Sequence, residues 1–168
     1  MTSFSLRSLR LRPGEEQREV KEVALEPVML GGQRYLPVPD KVQAELVVSR
    51  AQTGTVFELR FGTRLHGPCY RCLADAVVDV DVAAREYQAT SPDSDELRTP
   101  YLVNDQLDLS AWARDAIVLQ LPDKILCRID CSGLCPVCGG DLNVDPHGHD
   151  DEELDSRWAA LSELREKL

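Results

Sequence analysis

The sequence is poor in aromatic residues and contains no long apolar run. Phe, Trp and Tyr make up 5% of the 168 residues, so Val, Leu and Ala must fill most of any core. No stretch approaches the roughly 18 apolar residues that a membrane span requires. The N-terminal sequence Met-Thr-Ser-Phe-Ser-Leu-Arg also lacks the apolar core of a secretory signal. We therefore expect a soluble, cytoplasmic protein with no membrane partner.

The familiar motifs of catalysis are missing as well. The chain has no phosphate-binding loop, nucleophile elbow, dinucleotide fingerprint or His-Glu-x2-His element. Two of its three His residues, His147 and His149, lie in an acidic linker and are interpreted as solvated. The sequence therefore predicts a protein that is not an enzyme and has no small-molecule substrate.

An overall excess of positive charge is absent too. The chain has 19 Lys and Arg residues and 29 Asp and Glu residues, which give a net charge of −10. This balance opposes indiscriminate binding to phosphate backbones. Two segments, residues 1–12 and 41–72, are nevertheless basic. In the second segment we predict an RNA-binding strand face, on which arginines contact phosphates and one tyrosine stacks on a base. The predicted RNA-binding residues are Arg60, Arg64, Tyr70 and Arg71.

Alternation of apolar and polar residues predicts three secure strands, at residues 42–50, 55–66 and 76–87. Residues 3–11 and 17–25 alternate more weakly and are predicted to form edge strands. The fold class is therefore α+β, built on an antiparallel β meander or barrel-like sheet.

Helical periodicity begins at Asp108, a potential N-cap, and ends before Pro122. This amphipathic helix should close the sheet, with Leu109, Trp112, Ala113, Ala116, Ile117 and Gln120 on one face. A second, short helix is predicted after an acidic linker, from the spacing of Leu154, Trp158, Leu161, Leu164 and Leu168. The predicted division is a β-rich domain at 1–122, a Cys-rich metal-binding segment at 123–145, and the linker with its C-terminal helix at 146–168.

Six cysteines form two clusters, Cys69-x2-Cys72 and Cys127-x3-Cys131-x3-Cys135-x2-Cys138. In a reducing compartment this spacing indicates metal coordination more than disulfides, and four thiolates suit a structural Zn²⁺. The preferred ligand set is local, because it closes very little loop: Cys127, Cys131, Cys135 and Cys138. The alternative is a zinc-ribbon-like set that joins both clusters: Cys69, Cys72, Cys135 and Cys138. Cysteines that bind no stable metal remain a third interpretation.

Three motifs carry a resemblance to a known family. They are Cys69-x-Arg-Cys-Leu73, Asp130-Cys-x-Gly-Leu-Cys-Pro-x-Cys-Gly-x-Asp-Leu-Asn143 and Asp155-x-Arg-Trp-Ala-Ala-Leu161. Together they resemble the bacterial YceD family from about residue 40 to the end of the chain. Some members of that family lack the second cysteine cluster but retain Cys-x-Arg-Cys. The resemblance thus implies that the two clusters need not share an ion, which favours the local ligand set.

The resemblance also implies a function, because YceD proteins are associated with the accumulation of large-subunit ribosomal RNA in bacteria and plastids. We therefore expect a non-enzymatic ribosome-biogenesis factor that supports synthesis, processing or accumulation of large-subunit (23S) ribosomal RNA. The acidic charge favours an adaptor that binds an assembly factor or a large-subunit ribosomal protein. The alternative is a direct binder of structured ribosomal RNA through the basic strand face.

Overall fold

The computed structural model describes residues 2–91 and 97–149. The chain divides into two compact units, Met1–Cys131 and Ser132–Leu168. The first unit takes in Cys127 and Cys131, which the sequence analysis assigned to the Cys-rich segment. The predicted C-terminal helix at Leu154 to Leu168 lies outside the described residues, and the three-part division at 122 and 145 stays a prediction.

The first unit contains all the strands and the helix of the described residues. The three strands predicted from strict alternation are present, each extended by one to three residues at one or both ends. The elements are β1 (Ser3–Ser5), β2 (Glu16–Ala24), β3 (Val28–Leu30), β4 (Gln33–Pro37), β5 (Lys41–Arg50), β6 (Gly54–Pro68), β7 (Asp75–Ala89), β8 (Leu102–Val103), β9 (Gln106–Asp108) and α1 (Leu109–Gln120).

Strand β6 is the centre of a six-stranded antiparallel sheet. One of its edges pairs with β7 along its whole length, and the other pairs first with β5 and then, at Leu65 and His66, with β4. Strand β2 continues the sheet beyond β5, and β3 continues it beyond β4. The described strands do not close into the barrel-like sheet that we expected, because β2 pairs only with β5 and β7 only with β6. Strands β1, β9 and β8 form a separate small sheet.

The weakly alternating segments have different outcomes. Residues 17–25 are confirmed as an edge strand, since β2 lies at the end of the strand order. Residues 3–11 form a strand only at β1, because the chain then turns into a 3-10 helix at Leu6–Ser8. The β3–β4 hairpin was not predicted. It turns at Gly31 and Gly32, whose φ angles are +57° and +79°, and its proline falls at the end of β4, where a missing N–H costs little.

Alternation along the strands places one face of the sheet in the core. The inward side chains of β6 are buried, while the side chains between them are exposed or only partly buried, the pattern of a sheet with one solvated face. The largest fully buried side chains are Trp112, Tyr35, Phe57, Leu46, Leu59, Leu65, Leu107, Leu109, Ile117, Ile125, Val23 and Val48.

Helix α1 packs against β7, β2 and β1. The carboxylate of Asp108 caps it by accepting a hydrogen bond from the N–H of Ala111 at 3.0 Å, as predicted. The predicted apolar face is buried except for Gln120, which is exposed in the last turn. No helix in the described part of the chain is long and apolar enough to cross a membrane.

Candidate metal centres

Eight side chains with metal-binding atoms gather in two groups. The four-cysteine group lies in the first unit, the Cys2His2 group lies in the second, and within each group the ligand atoms all lie within 4.8 Å of one another. The four-cysteine group is Cys69, Cys72, Cys127 and Cys131, and the Cys2His2 group is Cys135, Cys138, His147 and His149.

These groups differ from both ligand sets that the sequence analysis weighed. The local set is split, because the structure brings Cys127 and Cys131 to the first cluster of the sequence. The ribbon set is split as well, because Cys135 and Cys138 meet two histidines instead of Cys69 and Cys72. Short loop closure favoured the local set on chain entropy, but packing of the segment after α1 against the β6–β7 loop outweighs that preference.

The first knuckle is the loop between β6 and β7. The end of β6 is held by Tyr35, whose hydroxyl donates to the carbonyl of Pro68 at 2.8 Å. The N–H of Cys69 then donates a hydrogen bond to the carbonyl of Ala74 at 2.7 Å, and the N–H of Leu73 donates one to the carbonyl of Cys69 at 3.0 Å. Leu73 completes the turn with a φ of +63°, a conformation that side chains with a Cβ rarely adopt. The turn directs both cysteine sulfurs to one side.

The segment after α1 is bonded directly to this knuckle. The N–H of Tyr70 donates to the carbonyl of Ile125 at 2.8 Å, and Ile125 itself is buried in the core. The guanidinium of Arg71 donates to the carbonyl of Cys131 at 2.6 Å. Lys124 lies over the Tyr70 ring, with its Nζ 5.0 Å from the ring centroid. These contacts carry Cys127 and Cys131 to the knuckle.

The second knuckle, in the other unit, repeats the backbone pattern of the first. The N–H of Cys135 donates a hydrogen bond to the carbonyl of Gly140 at 2.7 Å, and the N–H of Gly139 donates one to the carbonyl of Cys135 at 2.9 Å. Gly139 has a φ of +74°, in the position that Leu73 occupies in the first knuckle. In both cases a Cys-x2-Cys turn is closed by a residue in the left-handed region.

The two histidines of the second group were interpreted as solvated; the structure leaves His149 exposed but brings both rings to the cysteine pair. His147 places its Nε2 atom 3.1 Å from the sulfur of Cys138, and its Nδ1 atom lies 2.8 Å from the carbonyl of Asp145. His149 packs edge-on against His147 with ring centroids 5.1 Å apart. The sequence signal was the His-x-His pair soon after Cys-x2-Cys, which the acidic surroundings obscured.

The Asp-Leu-Asn part of the second motif, residues 141–143, organises the described part of the second unit. The side-chain oxygen of Asn143 accepts from the N–H of Ser132 at 2.8 Å, and its amide donates to Asp141 at 2.7 Å. A single β-bridge pairs Leu134 with Asp141. These polar contacts bring the two chain segments that flank the knuckle side by side.

Local hydrogen bonds favour the thiolate form of the first cysteine in each knuckle, whereas the pKa values of Cys72 and Cys127 are raised. Burial of the Cys69 thiol opposes ionisation, but backbone N–H groups, chiefly that of Cys72, outweigh it and lower its pKa to about 6. The N–H groups of Cys138 and Val137 lower the pKa of the Cys135 thiol to about 6. The carbonyl of Asp145 and the Cys138 thiol raise the pKa of His147 to about 9. Because thiolate is the form that binds metal, both knuckles contain a cysteine prepared for coordination at neutral pH.

The predicted RNA-binding residues occupy two different places. Arg60 and Arg64 lie on the solvated face of β6, each beside a carboxylate: Arg60 is 3.1 Å from Glu58, and Arg64 is 2.7 Å from Asp79. Tyr70 and Arg71 instead belong to the first knuckle. Tyr70 is exposed, whereas the guanidinium of Arg71 donates a hydrogen bond to the carbonyl of Cys131.

Acidic side chains from neighbouring strands further balance this face. Glu45 stands opposite Arg60 in the β5–β6 register and pairs with Arg18 of β2 at 3.6 Å. The carboxylate of Glu58 also forms an ion pair with the guanidinium of Arg85 on β7, at 3.8 Å. The outer face is therefore a mosaic of alternating charge, in contrast to the basic face that the sequence of residues 41–72 predicted.

The geometry defines an antiparallel β protein that carries two clusters of soft metal ligands. A family model described as "Large ribosomal RNA subunit accumulation protein YceD" matches residues 57–165, and the chain belongs to this family. The knuckle motifs that carried the resemblance lie inside the matched region.

Several known proteins are similar to the chain. An uncharacterised protein of Mycobacterium tuberculosis (strain ATCC 25618 / H37Rv) is 40% identical over 103 residues, which cover 58% of this chain and 49% of that protein. An uncharacterised protein of Mycobacterium leprae (strain TN) is 35% identical over 101 residues, covering 57% and 46%. The chloroplastic "Large ribosomal RNA subunit accumulation protein YCED homolog 1" of Arabidopsis thaliana is 32% identical over 74 residues, covering 44% and 23%. The match thus spans about half the length of the mycobacterial relatives. No solved structure matches the chain significantly.

Proposed function

We propose that the protein is a non-enzymatic ribosome-biogenesis factor that supports accumulation of large-subunit ribosomal RNA as a protein adaptor. The family description supports the process. The observation that carries the adaptor role is the pairing of Arg60 and Arg64 with carboxylates on the outer sheet face. Such a role places the protein where large subunits are assembled, which is the cytoplasm that the sequence analysis predicted.

Charge supports a basic protein partner over RNA. An arginine that already contacts a carboxylate must give up that contact, or bring the carboxylate close to a phosphate, before it can bind RNA. The chain as a whole carries a net charge of −10, which steers a basic partner toward it. A basic assembly factor or large-subunit ribosomal protein satisfies both conditions.

The ligand chemistry supports a structural role for metal. Each group supplies four ligands from cysteine and histidine alone, the donor set typical of closed structural Zn²⁺ sites, whereas catalytic zinc keeps a position for water. We therefore propose structural zinc and no catalytic activity.

A pull-down with and without ribonuclease separates the adaptor from the direct RNA binder. If the protein is an adaptor, capture of a basic large-subunit protein or assembly factor should survive complete digestion of RNA and weaken with rising salt. Loss of every ribosomal partner after digestion would overturn the adaptor role and favour contact with RNA.

A matched pair of double variants sharpens this test. Arg60→Gln with Arg64→Gln removes two cations from β6, and Arg18→Gln with Lys41→Gln removes two cations from β2 and β5, all of them from surface ion pairs. Both variants should fold, and both should support normal levels of large-subunit ribosomal RNA. If only the β6 variant lost its association with pre-ribosomal particles and lowered the level of large-subunit ribosomal RNA, direct RNA binding would replace the adaptor role as the proposed function.

A further inference from the structure

We propose that the chain binds two metal ions of the zinc class, one in the four-cysteine group and one in the Cys2His2 group. The groups share no residue, and each supplies the four ligand atoms that a tetrahedral zinc site requires. The inference concerns this chain's own side chains and stands independently of the role in ribosome assembly.

The sulfur separations in the four-cysteine group fit an ion. With a Zn–S distance of about 2.3 Å, sulfurs at the corners of a tetrahedron lie about 3.8 Å apart. The sulfurs of Cys69 and Cys131 are 3.8 Å apart, and those of Cys72 and Cys127 are 3.6 Å apart. Each of these pairs joins one cysteine of the knuckle to one of the segment after α1. Disulfide bonds would require a separation of about 2.0 Å.

The Cys2His2 group shows the support that a metal-binding histidine needs. The Nδ1 atom of His147 lies 2.8 Å from the backbone carbonyl of Asp145, a contact that leaves Nε2 to act as the ligand. That Nε2 atom lies 3.1 Å from the sulfur of Cys138, against about 3.6 Å between nitrogen and sulfur ligands of one tetrahedral zinc. A shift of about half an ångström therefore accommodates the ion.

Matching backbone geometry in the two knuckles is the second, independent observation. In each, the same two backbone hydrogen bonds close the turn. In each, an N–H group also points at a sulfur at 3.4 Å, that of Arg71 at the first cysteine, Cys69, and that of Gly140 at the second cysteine, Cys138. Leu73 holds a φ of +63° to complete the first turn, although it is 58% exposed and makes no contribution to the core. Strain of this kind persists where a site requires it.

Metal content and ligand type together test the proposal. The full chain, purified without chelator, should contain two equivalents of zinc by elemental analysis. X-ray absorption should show an average of about three sulfur and one nitrogen ligands per ion, because six cysteines and two histidines serve two ions. A single equivalent with four sulfur ligands, or no bound metal at all, would overturn the proposal.

Variants assign the ligands. Cys69→Ser with Cys72→Ser should leave one ion with mixed sulfur and nitrogen ligands. His147→Ala with His149→Ala keeps all six cysteines and should leave one ion with four sulfurs, so it remains informative if the cysteine variant does not fold. His66→Ala, a histidine outside both groups, should retain two ions. Retention of two ions by the His147/His149 variant would refute the second site, and loss of both ions from it would show that the two groups share their metal.

Discussion

The two units of the chain differ in what stabilises each of them internally. In Met1–Cys131 a sheet and a helix bury a continuous hydrophobic cluster. In the described part of Ser132–Leu168 the buried residues are Gly133 and Cys135, while Val137 and Val144 are 71% and 81% exposed. Residues 132–149 alone gain too little from apolar burial to offset the entropy of ordering them. A bound ion would supply in this part what a core supplies in the first unit.

The difference shows how the same knuckle can serve two purposes. In the first unit the turn sits on a sheet that is already stable, so an ion would reinforce contacts that exist without it. In the described part of the second unit, residues 132–149, the turn and the Asp141–Asn143 contacts are nearly all the structure, so an ion would determine whether this part folds.

The largest expected effect is the unfolding of the second unit when metal is removed. Exhaustive chelation should abolish protection from hydrogen exchange at Cys135, Gly139 and Leu142, whose N–H groups are hydrogen-bonded within that unit. Amides of β6 should stay protected, since the core remains. Equal loss of protection in both units would contradict the comparison.

A smaller effect should follow from opening the four-cysteine group. The contact between Cys72 and Cys127 spans 55 residues, and a cross-link over that length stabilises by about 4 kcal/mol through chain entropy. Cys72→Ser should therefore lower the free energy of unfolding of the first unit by up to that amount, because Cys69, Cys127 and Cys131 still join the same segments. Urea denaturation measures this loss. A Trp158→Phe background leaves Trp112 as the one tryptophan that reports the transition.

The control for that measurement is His147→Ala, which opens the Cys2His2 group. The first unit of this variant should unfold as in the unmodified chain, because the contact it removes closes 9 residues within the second unit. A shift of the Trp112 transition as large as that of Cys72→Ser would mean that the units are not independent.

Exchange of the turn residues should produce opposite changes of up to about 1 kcal/mol. Leu73→Gly relieves a positive φ and should tighten zinc at the first site by a few-fold. Gly139→Ala introduces strain at a φ of +74°, where the added Cβ meets no atom within 4 Å, and should weaken zinc at the second site to a similar extent. Competition with a chelator measures both, and changes of the same sign would contradict the matched geometry of the knuckles.

The smallest effect is expected on the outer sheet face. Arg64→Gln breaks the ion pair with Asp79. The side chains of Arg64 and Asp79 are 56% and 74% exposed, so the free energy of unfolding should change by less than about 1 kcal/mol. Thermal unfolding in low and high salt should show little difference between the variant and the unmodified chain. A larger loss would mean that this face has a packing role.

Local patterns predicted most of the secondary structure. Alternation identified β5, β6 and β7, and a capping aspartate with 3.6-residue spacing identified α1, because these features depend on neighbours in sequence. The β3–β4 hairpin escaped because its strands are short and flanked by proline and glycine. Barrel closure was wrong because the number of partners that a strand finds is not encoded in its own alternation.

The sequence by itself indicated the cysteines, the turns that present them and the family to which the chain belongs, since knuckle spacing and side-chain chemistry are local properties; it did not indicate the two histidines. Only the tertiary structure decided which ligands meet. Cys131 lies 62 residues from Cys69, and what joins them is the bonding of the segment after α1 to the β6–β7 loop. In the same way, the register of β6 against β7 places Asp79 beside Arg64, and this long-range pairing changes a basic segment into a balanced face.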